Sequence, residues 1–388
     1  MLLTNPYKPD ARVRREAMGL VESGYQVTII CWDRAAEYPA YENDNGIELI
    51  RVHDVRSSYV VGWRQLFYLP RFWRKAAELA IKLDPDFIHC HDLDTLGAGW
   101  TIKRRTGCTL IYDSHEHYPA VMSLYLPRPL IWLLALWESW LQRKAEATIT
   151  ASSILRDEMI TSGMAPVITL GNFPNLEAFT EVTVASIKSE RLALGVPEDE
   201  LLVAYIAGFT RDRVLLPFIE AAGLLPEVHF HIWGNGAQRD QVEEAVEKYD
   251  NVIHHGWLEH DRLPTVFRTV DIVYYGLRTD YPGAVYNAPN TLGQAMAAAR
   301  PVIATDVGDL GRIVHETGCG LLLGDATPQS IAGAIEDLKD KNVRATLGER
   351  GYAAALTTYN ERAIQKRLVN LYEKVTAGSN HLRLEEEP

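Results

Sequence analysis

Two short stretches carry most of the side chains that could do chemistry in the first half of the chain. His89, His91, Asp92 and Asp94 lie in IHCHDLD, and Asp113, Ser114, His115, Glu116 and His117 lie in YDSHEHYP. Imidazoles and carboxylates at this density can hold hydroxyl groups, pass protons or bind a metal. A metal needs a complete shell, and neither a third cluster nor a His-x-x-x-His pair on a helix supplies one. A lone histidine here reads equally well as a satisfied strand-end residue, but the two clusters together point to function. In the second half, AGFTRDR at 207–213 sets Gly208, Arg211 and Arg213 between a strand and a helix. Glycine lets a backbone approach a ligand, and two guanidinium groups can neutralise a diphosphate. The segment is not a Walker A loop, and Arg213 would serve equally as a surface cap.

A third stretch, 281–308 (YPGAVYNAPNTLGQAMAAARPVIATDVG), divides into a loop, a helix of small residues and a buried strand. A loop feeding a helix N-terminus offers unpaired N–H groups and a favourable dipole to an anion or a hydroxyl group. Its bland reading is one more packed helix–strand unit.

The elements that must position these residues alternate strand and helix. Strands are expected near 1–4, 25–32, 47–52, 86–90, 109–112 and 147–151, with helices at 10–23 and 95–106. Such alternation implies a parallel sheet with helices on both faces and ligands beyond the C-terminal strand ends. The segment 171–189 (GNFPNLEAFTEVTVASIKS) breaks the pattern and marks a boundary. A second sheet is expected from strands near 201–206, 228–233, 251–255, 271–275, 300–305 and 320–323, followed by amphipathic helices. The fold class is therefore α/β, with two Rossmann-like doubly wound parallel-sheet domains. The expected domains are 1–172 and 173–360, then a helix at 361–376 returning to the first domain and a disordered tail at 377–388.

Composition excludes several classes. A length of 388 residues fits two domains, and a formal charge of −12 argues against a nucleic-acid partner. Four cysteines without a Cys-x-x-Cys pair form neither a disulfide framework nor a zinc site. The N-terminus lacks a signal-peptide core, and no apolar run is long enough to span a bilayer, so a cytoplasmic protein is expected. Two segments, 63–75 (WRQLFYLPRFWRK) and 124–144 (LYLPRPLIWLLALWESWLQRK), are aromatic and basic. They read either as a core helix and a loop anchor or as a patch resting on a membrane.

In their order, these motifs resemble the GT-B glycosyltransferases, and within them glycosyltransferase family 4. The resemblance runs from Met1 to about Lys374. NPYKPDARVRREAMGLVESGYQVTII is similar to that family's opening, and DLDTLGAGW and YDSHEHYP resemble one bacterial and archaeal branch. NFPN looks like the hinge, GNG and GWLEHDRL like the nucleobase pocket, and LGQAMAAARPVIATDVGDLGRIV like the most specific segment. Two departures stand out. The Glu-x7-Glu pair of the family is Tyr286 and Gln294 here, and a glycine near the helix end is Ala299. A neutral amide at Gln294 can still bond a ribose diol, but the lost charge costs roughly 1–2 kcal/mol of donor binding.

The resemblance implies two facing domains and a retaining transferase that uses a nucleotide-diphosphate sugar as co-substrate. No metal and no other cofactor is implied. Arg211 and Arg213 would hold the diphosphate and stabilise the leaving charge. Gly208, Gly234, Gly236, Leu258, Tyr286, Asn287, Asn290, Thr291 and Gln294 would bind the donor. His115 would approach the transferring sugar, with Asp92, Asp113 and Glu116 orienting it or the acceptor. The acceptor would be a glycan, a lipid-linked or a small molecule in cell-surface polysaccharide or glycoconjugate synthesis. Segments 63–75 and 124–144 would then contact the inner face of the membrane. The missing carboxylates leave open a catalytically weak carbohydrate-binding relative, and the fold leaves open a nucleotide-sugar epimerase.

Overall fold

The computed structural model describes residues 1–377 except Pro9, 58–64, 116–126, Ala165 and Pro282. The chain divides into two compact units. The first is Met1–Leu170 with the chain from Ile364 onward, and the second is Gly171–Ala363. The boundary thus falls two residues before the expected one.

In the first unit the strands are β1 (Leu2–Leu3), β2 (Val27–Trp32), β3 (Tyr41–Asp44), β4 (Ile47–Val52), β5 (Phe87–His91), β6 (Thr109–Ser114), β7 (Ala147–Thr150) and β8 (Val167–Thr169). They form one sheet in the order β3-β4-β2-β1-β5-β6-β7-β8. All neighbours run parallel except β3, which pairs antiparallel to β4. The sequence reading missed β3 because its YEND alternates too few apolar residues to mark a strand. Winding reverses between β1 and β5, so the crevice of such a sheet opens at those two strand ends. Helices α1 (Ala11–Glu22), α2 (Gln65–Lys82), α3 (Leu93–Thr106) and α4 (Arg128–Gln142) cover the sheet. The core gathers Trp32, Phe72, Leu96, Ile102 and Tyr112, and Trp32 stacks on Phe72 at 5.1 Å.

The segment around 63–75 is a helix from Gln65, not a loop. It carries Pro70 in its interior. Proline there forfeits a backbone bond at roughly 3 kcal/mol. Complete burial of Phe72 and Ala76 one turn later offsets that loss.

The second unit holds β9 (Leu201–Ile206), β10 (Val228–Trp233), β11 (Val252–His254), β12 (Ile272–Tyr275), β13 (Val302–Thr305) and β14 (Gly320–Leu323). Their order is β11-β10-β9-β12-β13-β14, and all pairs are parallel. Winding reverses between β9 and β12. Two helices matter most here, α5 (Asn290–Ala297) and α6 (Gly308–Thr317). Phe218 stacks on Tyr274 at 4.7 Å within a core that also holds Phe209, Phe230 and Ile232.

A last helix, α7 (Glu361–Thr376), leaves the second unit and belongs to the first from Ile364. Its Leu368, Leu371 and Tyr372 are buried. Gln365 donates to the Arg15 carbonyl at 3.1 Å. Tyr372 lies against Tyr25 and Phe87, with ring centroids at 5.5 and 4.7 Å.

Candidate active site

In the first unit, Asp10 caps α1 by accepting from the Val13 N–H at 3.1 Å. One turn on, Arg12 and Glu16 share a helix face by their spacing. Arg12 reaches Asp92 at 3.5 Å. His89 and His91 alternate along β5, so they lie on one face of the sheet. Their rings stack at 4.4 Å. Asp113, at the end of β6, joins two histidines: Oδ2 lies 2.8 Å from His91 Nδ1 and Oδ1 lies 2.7 Å from His115 Nδ1. Burial alone would raise the Asp113 carboxyl. The His115 charge, the bonds from both histidines and nearby Arg12 outweigh it and hold the group well below the usual carboxylate range. An ionised Asp113 accepts only, so both histidines carry their proton on Nδ1. Among the described residues the His115 Nε2 has no hydrogen-bond partner.

Asp92 has φ 61° and ψ 164°, a conformation that favours glycine. Its N–H donates to the Asp113 carbonyl at 2.8 Å, which ties the two strand ends together. Asp94 sits behind it, bonded by the Thr4 hydroxyl, and burial with the Asp92 charge pushes its carboxyl up to about 7. Glu116 lies outside the described residues.

In the second unit, the loops after β9 and β10 lock together. The Phe209 N–H donates to the Asn235 carbonyl at 2.9 Å, and the Gln238 N–H to the Phe209 carbonyl at 3.1 Å. Gly234 and Gly236 permit this. A Cβ on Gly234 would stand 2.1 Å from the Ala207 oxygen, and one on Gly236 would stand 2.8 Å from the Phe209 oxygen. These two glycines therefore serve the protein's own packing. Gly208 differs, because a Cβ there would meet only the Asn235 oxygen at 3.9 Å.

The two arginines have separate situations. Arg211 is exposed. Arg213 pairs with Asp212 at 2.6 Å and lies over the Tyr275 ring at 5.0 Å. Burial would lower its affinity for its proton, but Tyr275 and Asp212 reverse that, and the guanidinium stays firmly charged. Asn287, with its amide turned to satisfy both neighbours, donates to Tyr275 Oη at 3.2 Å and accepts from Arg213 Nη1 at 3.3 Å. Thr291 is buried and donates to the Ile206 carbonyl at 2.9 Å, so it pins α5 to the end of β9 rather than facing a ligand. Asn290 is exposed at the start of α5, and Gln294 is half-buried one turn on. Tyr286 closes a short 3-10 turn, Ala284–Tyr286, that packs on the start of α6. A Cβ at Gly308 would stand 2.3 Å from the Val285 oxygen. Leu258 is buried beside exposed Trp257.

Sequence reasoning missed the residues that complete these sets. Arg12 and Glu16 sit on a helix read only for its periodicity. Two charged residues four apart on a face that also carries buried Val13 and Ala17 were the available signal. The expectation that no third cluster joins the histidines is corrected: α1 brings Glu16 to them. Tyr275 and Asp212 were likewise read as a strand end and a loop residue.

Helix α4 is inverted. Its polar Glu138 and Gln142 are buried, and Glu138 accepts from Tyr112 Oη at 2.8 Å. Leu130, Trp132, Leu133, Leu136 and Trp140 are exposed instead. Trp140 still meets Trp100 edge-on at 4.9 Å.

Comparison with known proteins agrees with this architecture. Residues 9–172 match the family described as a glycosyl transferase 4-like domain, and 201–341 match glycosyl transferases group 1. An uncharacterized glycosyltransferase of Methanocaldococcus jannaschii is 25% identical over 377 residues, 92% of each chain. The alpha-D-kanosaminyltransferase of Streptomyces kanamyceticus is 23% identical over 312 residues, 74% of this chain and 77% of that one. Among solved structures, sucrose-phosphate synthase from Thermosynechococcus elongatus superimposes with a TM-score of 0.80 at 22% identity. It covers 97% of this chain and 99% of its own. The Anabaena protein HepE, in complex with UDP and glucose, gives 0.71 at 16% identity, covering 96% and 98%. Two doubly wound units, each with its polar residues at the point where winding reverses, together with these matches make the chain a member of the group 1, family 4-type glycosyltransferases of GT-B fold.

Proposed function

We propose that the protein is a retaining transferase that moves a sugar from a nucleotide diphosphate to a hydroxyl acceptor. The observation that carries this reading is the reversal point of the second sheet. There Gly208 leaves open space, Arg213 stays charged and anchored, and α5 begins, all within the loops that follow β9 and β12. Such a place suits a diphosphate. HepE, bound to UDP and glucose, supports a nucleotide-sugar donor. In the reaction, the bond from sugar C1 to the phosphate oxygen breaks, and the acceptor oxygen bonds C1 on the same face. The acceptor's proton passes to the departing phosphate. Arg211 and Arg213 stabilise the charge that develops there. Gln294 holds the ribose, and His115 contacts the transferring sugar through its unpartnered Nε2. Asp113 keeps that ring in one tautomer. No metal takes part in this transfer.

A thermal-shift screen of nucleotide diphosphates tests the donor. A ligand at 100 times its Kd stabilises by about 2.7 kcal/mol. Replacing Arg211 and Arg213 together with Ala should erase most of that shift, since each charged contact is worth roughly 1.5–3 kcal/mol. Equal shifts in wild type and the double variant would refute the cradle. Slow hydrolysis of the donor without acceptor separates a transferase from a mere binding relative.

The inverted face of α4 supports an acceptor at a lipid surface. Its exposed Trp132, Leu133 and Leu136 are flanked by exposed Arg128, Arg143 and Lys144. Apolar area and attraction to anionic lipid add in such a patch. Among the described residues, no helix is long and apolar enough to cross a membrane.

A further inference from the structure

Behind the Asp113 bridge lies a cluster of which the transfer chemistry uses only Asp113. Glu16 of α1, His89 and His91 of β5, and Asp113 each bring one donor atom into a set whose members all lie within 4.8 Å of one another. Their residues are 4%, 1%, 1% and 0% exposed. Among the described residues, Glu16 Oε2, His89 Nε2 and His91 Nε2 have no hydrogen-bond partner. Glu16 Oε2 and His89 Nε2 stand 3.9 Å apart, too far to bond each other. Orphaned polar atoms in a closed interior are costly to leave unpaired. Three of them in one place call for something between them.

We propose that this cluster holds a divalent transition-metal ion, zinc in the first place, bound by Glu16, His89 and His91. The other ring nitrogen of each histidine is already engaged. His89 Nδ1 meets Tyr372 Oη at 2.9 Å, and His91 Nδ1 meets Asp113. Metal-binding histidines use that arrangement, in which one nitrogen is held by a carboxylate or hydroxyl and the other faces the ion. Charge agrees as well. The carboxylates of Glu16 and Asp113 balance a dication, and neutral imidazole with carboxylate oxygen suits zinc. Bonds of about 2.0–2.2 Å place ligand atoms roughly 3.4 Å apart, so side-chain rotations of about an ångström complete the shell. Buried on all sides, the ion would tie α1 to β5 and, through Tyr372, brace α7. It is a structural site that takes no part in the transfer reaction, although it shares Asp113 with His115.

The test is elemental analysis of the full-length protein after gel filtration, for wild type, Glu16→Gln and His89→Gln. About one zinc per wild-type chain is expected, and essentially none in either variant. Dialysis against a strong chelator should lower the wild-type Tm. Added zinc should restore it, magnesium should not, and the Tm of Glu16→Gln should ignore both. Wild-type protein without stoichiometric transition metal, and with a Tm indifferent to zinc after chelation, would overturn the site. Equal metal in wild type and variants would overturn it too, as adventitious binding. If a variant does not fold, the wild-type metal content and its zinc response decide alone. Nucleotide binding by metal-free wild type is measured in parallel, so that failure here and failure of the donor cradle are told apart.

Discussion

A methyl group at Gly208 would touch the protein only at the Asn235 oxygen, 3.9 Å away, whereas one at Gly234 would lie 2.1 Å from the Ala207 oxygen. Both glycines follow strand ends, and both are expected from the sequence to bind the donor, Gly208 at the diphosphate and Gly234 in the nucleobase pocket. Packing separates them. Gly208→Ala should leave the melting temperature near wild type and weaken nucleotide-diphosphate binding at least ~10-fold, about 1.4 kcal/mol, because the new methyl fills ligand space. Gly234→Ala should lose stability instead, through overpacking of about 1–3 kcal/mol or more. Calorimetric titration and urea melts on the two variants check the contrast; unchanged binding in Gly208→Ala would remove Gly208 from the cradle. At this scale the residue types were legible but their partners were not. His115 and Asp113 announced themselves in one octapeptide, YDSHEHYP. Arg213 looked like half of a matched pair with Arg211. The structure shows it held by Asp212, Asn287 and the Tyr275 ring, contacts that no spacing rule encodes. Thr291, expected to line the donor, bonds backbone instead.

Two elements carry costs that substitution can relieve. Helix α5 ends at Ala297 with Ala298 as its C-cap, and Ala299 follows with φ 54°, the left-handed turn that glycine normally fills. The bend cannot relax, because the Gly348 backbone lies so close that a Cβ on it would stand 2.2 Å from the Ala299 oxygen. Ala299→Gly should therefore raise stability by about 1 kcal/mol, less the added entropy of the unfolded chain. A urea melt with no gain in midpoint would show that the strain is already relieved. In α4, burial and then the Asp92 charge push the Glu138 carboxyl up to about 7, although the bond from Tyr112 opposes them. The folded state thus holds this proton more tightly than the unfolded state, whose carboxyl titrates near 4.5. The contribution is full below that value, declines as pH rises from 4.5 to 7, and is gone above. Glu138→Gln should be more stable than wild type at pH 8, by up to ~3 kcal/mol, and lose that advantage at pH 4.5. Melts at the two pH values decide. Alternating strands and helices were legible as elements because buried parallel strands are nearly continuous apolar runs. Helix α2 was not, since Pro70 argues locally for a break and only the packing of Phe72 overrules it.

For the whole molecule, charge and apolar surface are distributed unevenly. The chain carries a net −12, yet the exposed tryptophan and leucine face of α4 is bordered by Arg128, Arg143 and Lys144. Co-sedimentation should show binding to anionic vesicles, weaker at high salt, with little binding to neutral ones. Replacing Trp132 and Leu136 with Ser should abolish it without loss of fold; equal sedimentation before and after would locate the contact elsewhere. Two domains were legible from length and from the NFPN break, as was the return of the last helix once the family resemblance was drawn. That return has a consequence in time. Tyr372 comes 283 residues after the histidine it touches. At about 5–20 residues per second, a ribosome delivers it roughly 15–60 s later. Through that interval the second unit can emerge and fold as one uninterrupted segment, while the unit made first waits with the flank beside Tyr25, Phe87 and His89 uncovered. The older half of the nascent protein is thus the last to be finished, and a chain released early loses the final piece of the half that was made first.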